Sequence, residues 1–534
     1  MTRESRTKTT LLKKAKNKTL LGISLWVLFL SAPLQLQADD WTQWGRGPDR
    51  NMASTEKGLP ATFNPGTFLK GSEEVDPKST QNIEWIAKLG SQAYGNPTIA
   101  AGRVFIGTNN MAPRQKEIIG DRGVLMSFDE KDGSFQWQLT VPKLGAGKVS
   151  DWEYLGICSS PAVDKDRIYV VTNRAEVLCL DTQGISNGNQ GPFKDEEQYR
   201  SVPGQKAAPL GAQDADIIWR FDMRKELGIF PHNIASSSVL IVGDTLYVNT
   251  SNGVDWSHKN IPSPIAPSMV ALDKKTGKLI GEEDTGMGTR LLHGNWSSPS
   301  YGKIKGKGMV FFGGGDGYCY GFEPEAKTNA EGFDQLMELW RFDGNPPHYR
   351  SVDGVPIRYT KRSGPSEIIA TPVFYDNKVY SIIGQDPEHG PGAGALSCIN
   401  PSLKGDISKT GLIWRYEGIG RSISTVAIHN DLLFAADLNG KIYCLDAQNG
   451  KLHWMHDTQG RVWSSPLVAD GKLYLGNEDG VLVVFEAKKK KKLLHTAHFP
   501  GPIYSSAVSA NKALYVSTQT HLYKIVSKPQ SSKK

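Results

Sequence analysis

Cysteine is scarce, and what there is of it excludes two chemistries. Five cysteines stand in 534 residues. None is adjacent to another, and no Cys-x-x-Cys-His haem motif or Cys/His zinc spacing occurs. Cys179, Cys398 and Cys444 fall at one equivalent place in a repeat, with Cys319 two residues earlier in its copy. Such positions lie too far apart to bond, so they read as small core fillers, and Cys158 is left over. Long apolar runs are also missing. The longest, residues 20–30, is shorter than the about 20 residues a membrane-spanning helix needs. It follows a basic stretch with Arg3, Arg6, Lys8, Lys13, Lys14, Lys16 and Lys18, and precedes Ser31, Ala32 and Ala38. That is the order of a secretory signal peptide, expected over residues 1–38, with an uncleaved anchor as the alternative. The formal charge of +7 comes almost wholly from this stretch, so no basic surface for nucleic acid is expected. The lysines at 488–492 read as a solvated hairpin turn.

Glycine is abundant, at 56 residues, as in turn-rich β architectures. Internal repetition explains it. The unit is a small polar pair with Pro, a strand, a second strand with an aromatic, a third strand ending in an acidic residue, then Gly and a fourth strand with Trp. One copy has Ser464, Ser465 and Pro466, then Tyr474, then Gly480 to Glu486. The copy before it has Ser424 and Thr425, Phe434, Asp446, Gly450 and Trp454. Others start at Asn96, Ser159, Ser236, Ser297 and Thr371. The last, from Ser505, ends before a fourth strand. The stretch at residues 82–90, with Trp85, is a fourth strand with nothing before it. Joining the two completes eight copies. The prediction is an all-β, eight-bladed β-propeller of four-stranded blades over residues 81–527, closed by an N-terminal strand that completes the last blade and removes a free sheet edge. Residues 39–80 lack a strand pattern and are expected to pack outside the ring on Trp41 and Trp44. Residues 528–534 are expected to form a disordered tail.

The step Asp446, Gly450, Trp454 resembles the repeat of pyrroloquinoline-quinone (PQQ) dehydrogenases, and the likeness covers residues 82–526. In more detail the chain resembles exported PQQ-repeat propellers common in planctomycete-like bacteria. The segments carrying this are residues 41–51, 230–233, 252–255, 385–390 and 420–422. More distantly it is similar to the propeller of the outer-membrane barrel-assembly machinery, a binding scaffold. The dehydrogenase likeness implies PQQ and Ca²⁺ at the mouth of the ring, with Asn252 matching a Ca²⁺-ligating Asn. The base that should follow about forty residues later is absent: His293, Gly294, Asn295 and Trp296 stand there.

Residues just before the innermost strands should line one mouth of the ring. They are Tyr94, Trp152, Tyr154, His232, Asn233, His293, Asn295, Glu367, Arg421, Arg461, Trp463 and Tyr504. Aromatics with two arginines suit a flat or anionic ligand, and PQQ is both. In the loop at residues 385–390, Asp386, Glu388 and His389 are candidate ligands of a divalent ion. A plain hydrogen-bonded loop is the competing expectation. The insertions at 184–216 and 345–364 are polar loops of the kind that carry recognition. A complete repeat beside an incomplete catalytic set points to an exported scaffold, periplasmic or secreted. Its partner would be a small anionic or aromatic ligand, or a cell-envelope protein. The alternative is a Ca²⁺-assisted PQQ-dependent alcohol or sugar dehydrogenase with altered residues. A polysaccharide-binding role is a third reading.

Overall fold

The computed structural model describes residues 39–201, 204 and 206–527. The expected signal peptide and C-terminal tail lie outside them. Eight sheets follow one another around a ring, each built on a four-stranded antiparallel meander. Blade 1 spans residues 98–142, blade 2 162–222, blade 3 240–283 and blade 4 300–343. Blade 5 spans 373–416, blade 6 427–457 and blade 7 467–498. Blade 8 takes three strands from 508–526 and its fourth, Ile83–Lys88, from the N-terminal side. That strand pairs antiparallel with His521–Val526, so the closure expected from Trp85 is observed. The lysines at 488–492 do lie in a turn, between Val481–Glu486 and Leu493–His498. All five cysteines are free.

Several recurring steps of the repeat have a hydrogen-bond reason. The Asp that ends a third strand accepts the backbone N–H two or three residues on, which nucleates the turn. Asp129, Asp181, Asp273 and Asp446 all do this. In five blades the fourth-strand Trp then reaches the next blade, while Trp340 of blade 4 turns its indole N–H to Met309 Sδ in its own blade. The indoles of Trp85, Trp137, Trp219, Trp414 and Trp454 donate to the carbonyls of Glu130, Thr182, Lys274, Ala447 and Lys488. Each of those carbonyls sits just past the acidic residue of the following blade. The Gly of that same turn lies under the ring: a Cβ at Gly450 would stand 2.6 Å from Trp414. Trp is therefore an inter-blade dowel, and more than a filler of splayed volume.

The small polar residues at the innermost strands form a belt. Backbone N–H groups of Asn96, Ser160, Ser238, Thr371, Thr425, Ser465 and Ser506 each donate to the side-chain oxygen of the equivalent residue one blade on. Only a short side chain with an oxygen can do this where the blades converge.

Residues 41–56 correct one expectation. They lie in the centre of the ring and touch the inner strand or first hairpin of every blade. Trp41 bridges Ile99 in blade 1, and Thr42 O accepts from Val163 N–H in blade 2. Arg50 reaches the carbonyls of Ser238, Val239 and Pro299 in blades 3 and 4. Asp49 O and the Asn51 amide hold Phe374 and Ile428 in blades 5 and 6. Ala53–Ser54 adds a parallel strand to blade 7, and Glu56 accepts from Asn511 and Lys512 of blade 8. The physical reason is that every inner strand leaves one edge unpaired at the axis, and an irregular segment can satisfy all of them in turn. From there the chain runs outward along blade 7, past Asp470, Tyr474 and His495, to its place in blade 8.

Blades 3 and 4 depart from four strands. Residues in the next blade's last connection add short strands to their outer edges, Asp334–Leu336 on blade 3 and Gly405–Asp406 on blade 4. The insertion at 184–216 covers the outer edge of blade 1 in the same way, through Gln138. That insertion is thus edge cover, while 345–364 does reach the mouth.

Candidate functional site

Connections between strands two and three, and from one blade to the next, open on the face opposite the central segment. They enclose a cavity of about 310 Å³ on the axis. Its floor is Trp44, whose indole donates to Thr371 Oγ1 at 3.0 Å. Trp152, Trp296, Tyr94, Trp463 and Tyr504 form the wall. Tyr94 stacks on Tyr504 at 4.9 Å between ring centroids, and Trp463 meets Tyr504 edge-on at 5.1 Å. Burial pushes the Tyr94 hydroxyl well up, so it stays protonated. The charged residues on the wall are both acidic, Asp386 and Glu388.

Neither arginine lines this cavity. Arg421 is fully buried; it donates to Lys361 O, while its Nε and Nη1 have no hydrogen-bond partner. Burial draws its pKa down, opposed by Tyr359 and Glu367 nearby. Arg461 is half exposed and 3.7 Å from Glu478, which also accepts the Trp463 indole N–H. The cationic mouth expected for an anionic ligand is therefore not formed, because one guanidinium is sealed into the wall and the other turns to a surface carboxylate.

Beside the cavity, on connections of blades 3 to 5, four of the eleven histidines meet. His232 comes from the linker into blade 3, His293 from the linker into blade 4, and His389 from the long loop of blade 5. His258 comes from the long loop of blade 3. Ring centroids of His232 and His293 are 4.3 Å apart, of His258 and His293 4.8 Å, and of His293 and His389 5.1 Å. His232 and His293 are buried and His258 is exposed. His232 Nδ1 lies 2.6 Å from Val254 O, while its Nε2 and both nitrogens of His293 have no hydrogen-bond partner. Burial holds His232 down to about 4, and burial with the neighbouring imidazoles holds His293 lower still, so both are neutral at pH 7. Glu367 Oε1 is 4.0 Å from His293 Nδ1. Burial raises Glu367 well above the carboxylate range, against the pull of the adjacent Tyr359 hydroxyl.

Asn252, Asn295 and Asn233 are held by hydrogen bonds within the protein, and Asn233 also lines the cavity. Asn252 Oδ1 accepts from Phe230 N–H and its Nδ2 donates to Ser263 O. Asn295 ties the backbones of Asn252 and Gly315 together. Asn233 Nδ2 donates to Asp386, which also caps Glu388 N–H. The loop at 385–390 is thus both hydrogen-bonded and turned, through His389, toward the histidine cluster. Sequence reasoning placed His232, His293 and Glu367 at this mouth, and named Asp386 and His389 only as candidate ion ligands in the 385–390 loop; it missed His258 and Tyr359. Both sit inside long loops, and their only signal was membership of an extended connection on the mouth-facing side.

Ca²⁺ does not fit this donor set. It needs six to eight oxygens, and the convergent groups here are imidazole nitrogens. PQQ fits poorly too, since its carboxylates would face Asp386 and Glu388.

An eight-bladed ring of this repeat, with its long connections on one face, is the architecture of the PQQ-repeat propellers. The chain belongs to the family described as outer membrane protein assembly factor BamB, whose model matches residues 75–184, 122–329 and 405–526. BamB from Moraxella catarrhalis has the same fold: TM-score 0.50, 14% identity, covering 83% of this chain and 96% of that one. The quinohemoprotein alcohol dehydrogenase of Comamonas testosteroni superposes with a TM-score of 0.46 at 13% identity, covering 93% of this chain and 82% of that one. Among curated proteins, a beta-alanine-activating enzyme of Danio rerio is 31% identical over 102 residues, 18% of this chain and 9% of that protein. The human protein of the same name is 36% identical over 75 residues, 13% of this chain and 7% of its own. The chain thus spans less than a tenth of the length of these two relatives. No helix among the described residues is long and apolar enough to cross a membrane.

Proposed function

We propose that this protein is an exported binding propeller whose axial cavity takes a small, neutral or cationic ligand with flat or apolar faces. The carrying observation is the cavity itself: a floor made by Trp44, five further aromatic rings on the wall, and only acidic charge. Rings present π-faces to sugars and organic cations, and carboxylates favour the cation. The basic and apolar order of residues 1–38 supports export to the periplasm or beyond. Likeness in fold to BamB supports a scaffold role in the cell envelope, with the loops around the cavity as the meeting surface.

Titration of tryptophan fluorescence with neutral saccharides and organic cations tests this. Saturable quenching is expected, and Tyr504→Ala or Trp463→Ala should each weaken it about tenfold. Saturable quenching that neither variant moves would place the ligand elsewhere. The dehydrogenase reading has one observation in its favour, the Glu367 carboxyl beside His293, which stands on a different loop from the one where a base was expected. Against it, that carboxyl is sealed from solvent. Binding of PQQ with Ca²⁺ at micromolar concentration, together with reduction of an artificial acceptor by an alcohol or sugar, would replace the binding reading with that one.

A further inference from the structure

His232, His258 and His293 come from three different connections, yet their ligating atoms all lie within 4.8 Å of one another. Three of the buried nitrogens, Nε2 of His232 and both of His293, have no hydrogen-bond partner. Buried polar atoms without partners each cost about 1–3 kcal/mol, and native proteins hold few. The Nε2 of His232 and a nitrogen of the neighbouring His293 therefore call for a partner that is not protein. The tautomer of His232 is fixed. A carbonyl can only accept, so Nδ1 carries the proton donated to Val254 O and Nε2 carries the free lone pair. This carbonyl-backed imidazole is the arrangement that orients ligating histidines. Glu367 stands at His293 Nδ1, 4.0 Å away, where a small approach would let it take that N–H and leave Nε2 facing the cluster.

We propose that His232, His258 and His293 form a site for one divalent transition-metal ion of the zinc, copper and nickel class, with the remaining coordination position turned toward His389 and solvent. Three imidazoles select against Ca²⁺ and Mg²⁺, which take oxygen ligands. Nitrogens bound tetrahedrally at about 2.0–2.1 Å stand about 3.3 Å apart, so the cluster must close by somewhat more than 1 Å. His258 can supply that movement, since it is on an exposed loop while the other two are locked in the core. Its exposure also gives the ion a way in. The inference does not rest on what occupies the axial cavity.

The test is metal binding by the full-length protein after chelator treatment and dialysis. Titration with Co²⁺ should give the intense visible bands of a four- or five-coordinate ion, saturating at one equivalent, and Zn²⁺ should abolish them. Millimolar Ca²⁺ should not. His258→Ala, at an exposed position, should leave unfolding of the metal-free protein unchanged and weaken Zn²⁺ at least about tenfold by calorimetry. His293→Gln should abolish saturable binding, and Trp463→Ala should leave it intact. Cobalt spectra that stay those of the aqua ion, equal Zn²⁺ affinity in His258→Ala, or displacement by Ca²⁺ would each overturn the site. Should His293→Gln fail to fold, His258→Ala decides alone.

Discussion

Gly450 carries two constraints at once. Its φ of +73° is the left-handed region, and the space where a Cβ would sit is taken by the Trp414 ring. Gly471 has a similar φ of +68° but open space around it. Gly450→Ala is therefore expected to destabilise by about 2–3 kcal/mol, and Gly471→Ala by only about 1 kcal/mol. Chemical denaturation of the two variants checks this; equal losses would mean that the indole contact contributes nothing. The residue types of this step were legible in the sequence, because the same spacing recurs. The hydrogen bond from each indole to the next blade's carbonyl was not, since partners such as Trp414 and Ala447 meet only through the stacking of two blades.

At the scale of an element, the central segment behaves unlike a strand or a loop of the repeat. Arg50 is wholly buried, and its five N–H groups are all used, on Pro299, Gln43, Trp44, Ser238 and Val239. Burial lowers its pKa to about 9, opposed by the charge of nearby Asp49, so it is still charged at neutral pH. Arg50→Ala leaves several buried carbonyls without donors and should cost about 3 kcal/mol or more. Arg50→Lys should not restore it, because an ammonium lacks the planar fork. Limited proteolysis should then cut within residues 39–56 before it cuts the blades; unchanged resistance would contradict the role given to Arg50. Nothing in the local pattern announced this segment as a floor. Its partners lie as far as 456 residues away, as Glu56 and Lys512 do, and irregular backbone has no periodicity to read.

For the whole molecule, stability depends on the blade made from both ends of the chain. His521 sits on its closing strand, buried, and burial with Lys88 nearby lowers its pKa to about 4. An unfolded histidine takes its proton near pH 6.5. Between pH 6.5 and 4 the unfolded state therefore binds more protons, and stability is lost as pH falls through that window, by up to about 3 kcal/mol. His521→Gln should flatten this slope in denaturation midpoints measured across the window. Parallel curves for the two proteins would rule His521 out as a source of it.

By itself the sequence determined the ring: its eight units, the inner and outer residues of each, and the closure through Trp85. These follow from local chemistry repeated at intervals, in which each blade buries its faces only by stacking on another. Tertiary structure alone decided that residues 41–56 floor the axis, that Arg421 and Arg461 leave the cavity, and that His258 joins His232, His293 and His389. Each of these depends on where connections of unequal length come to rest around the axis. No repeat spacing encodes that, because the residues involved lie in the parts of the chain that do not repeat.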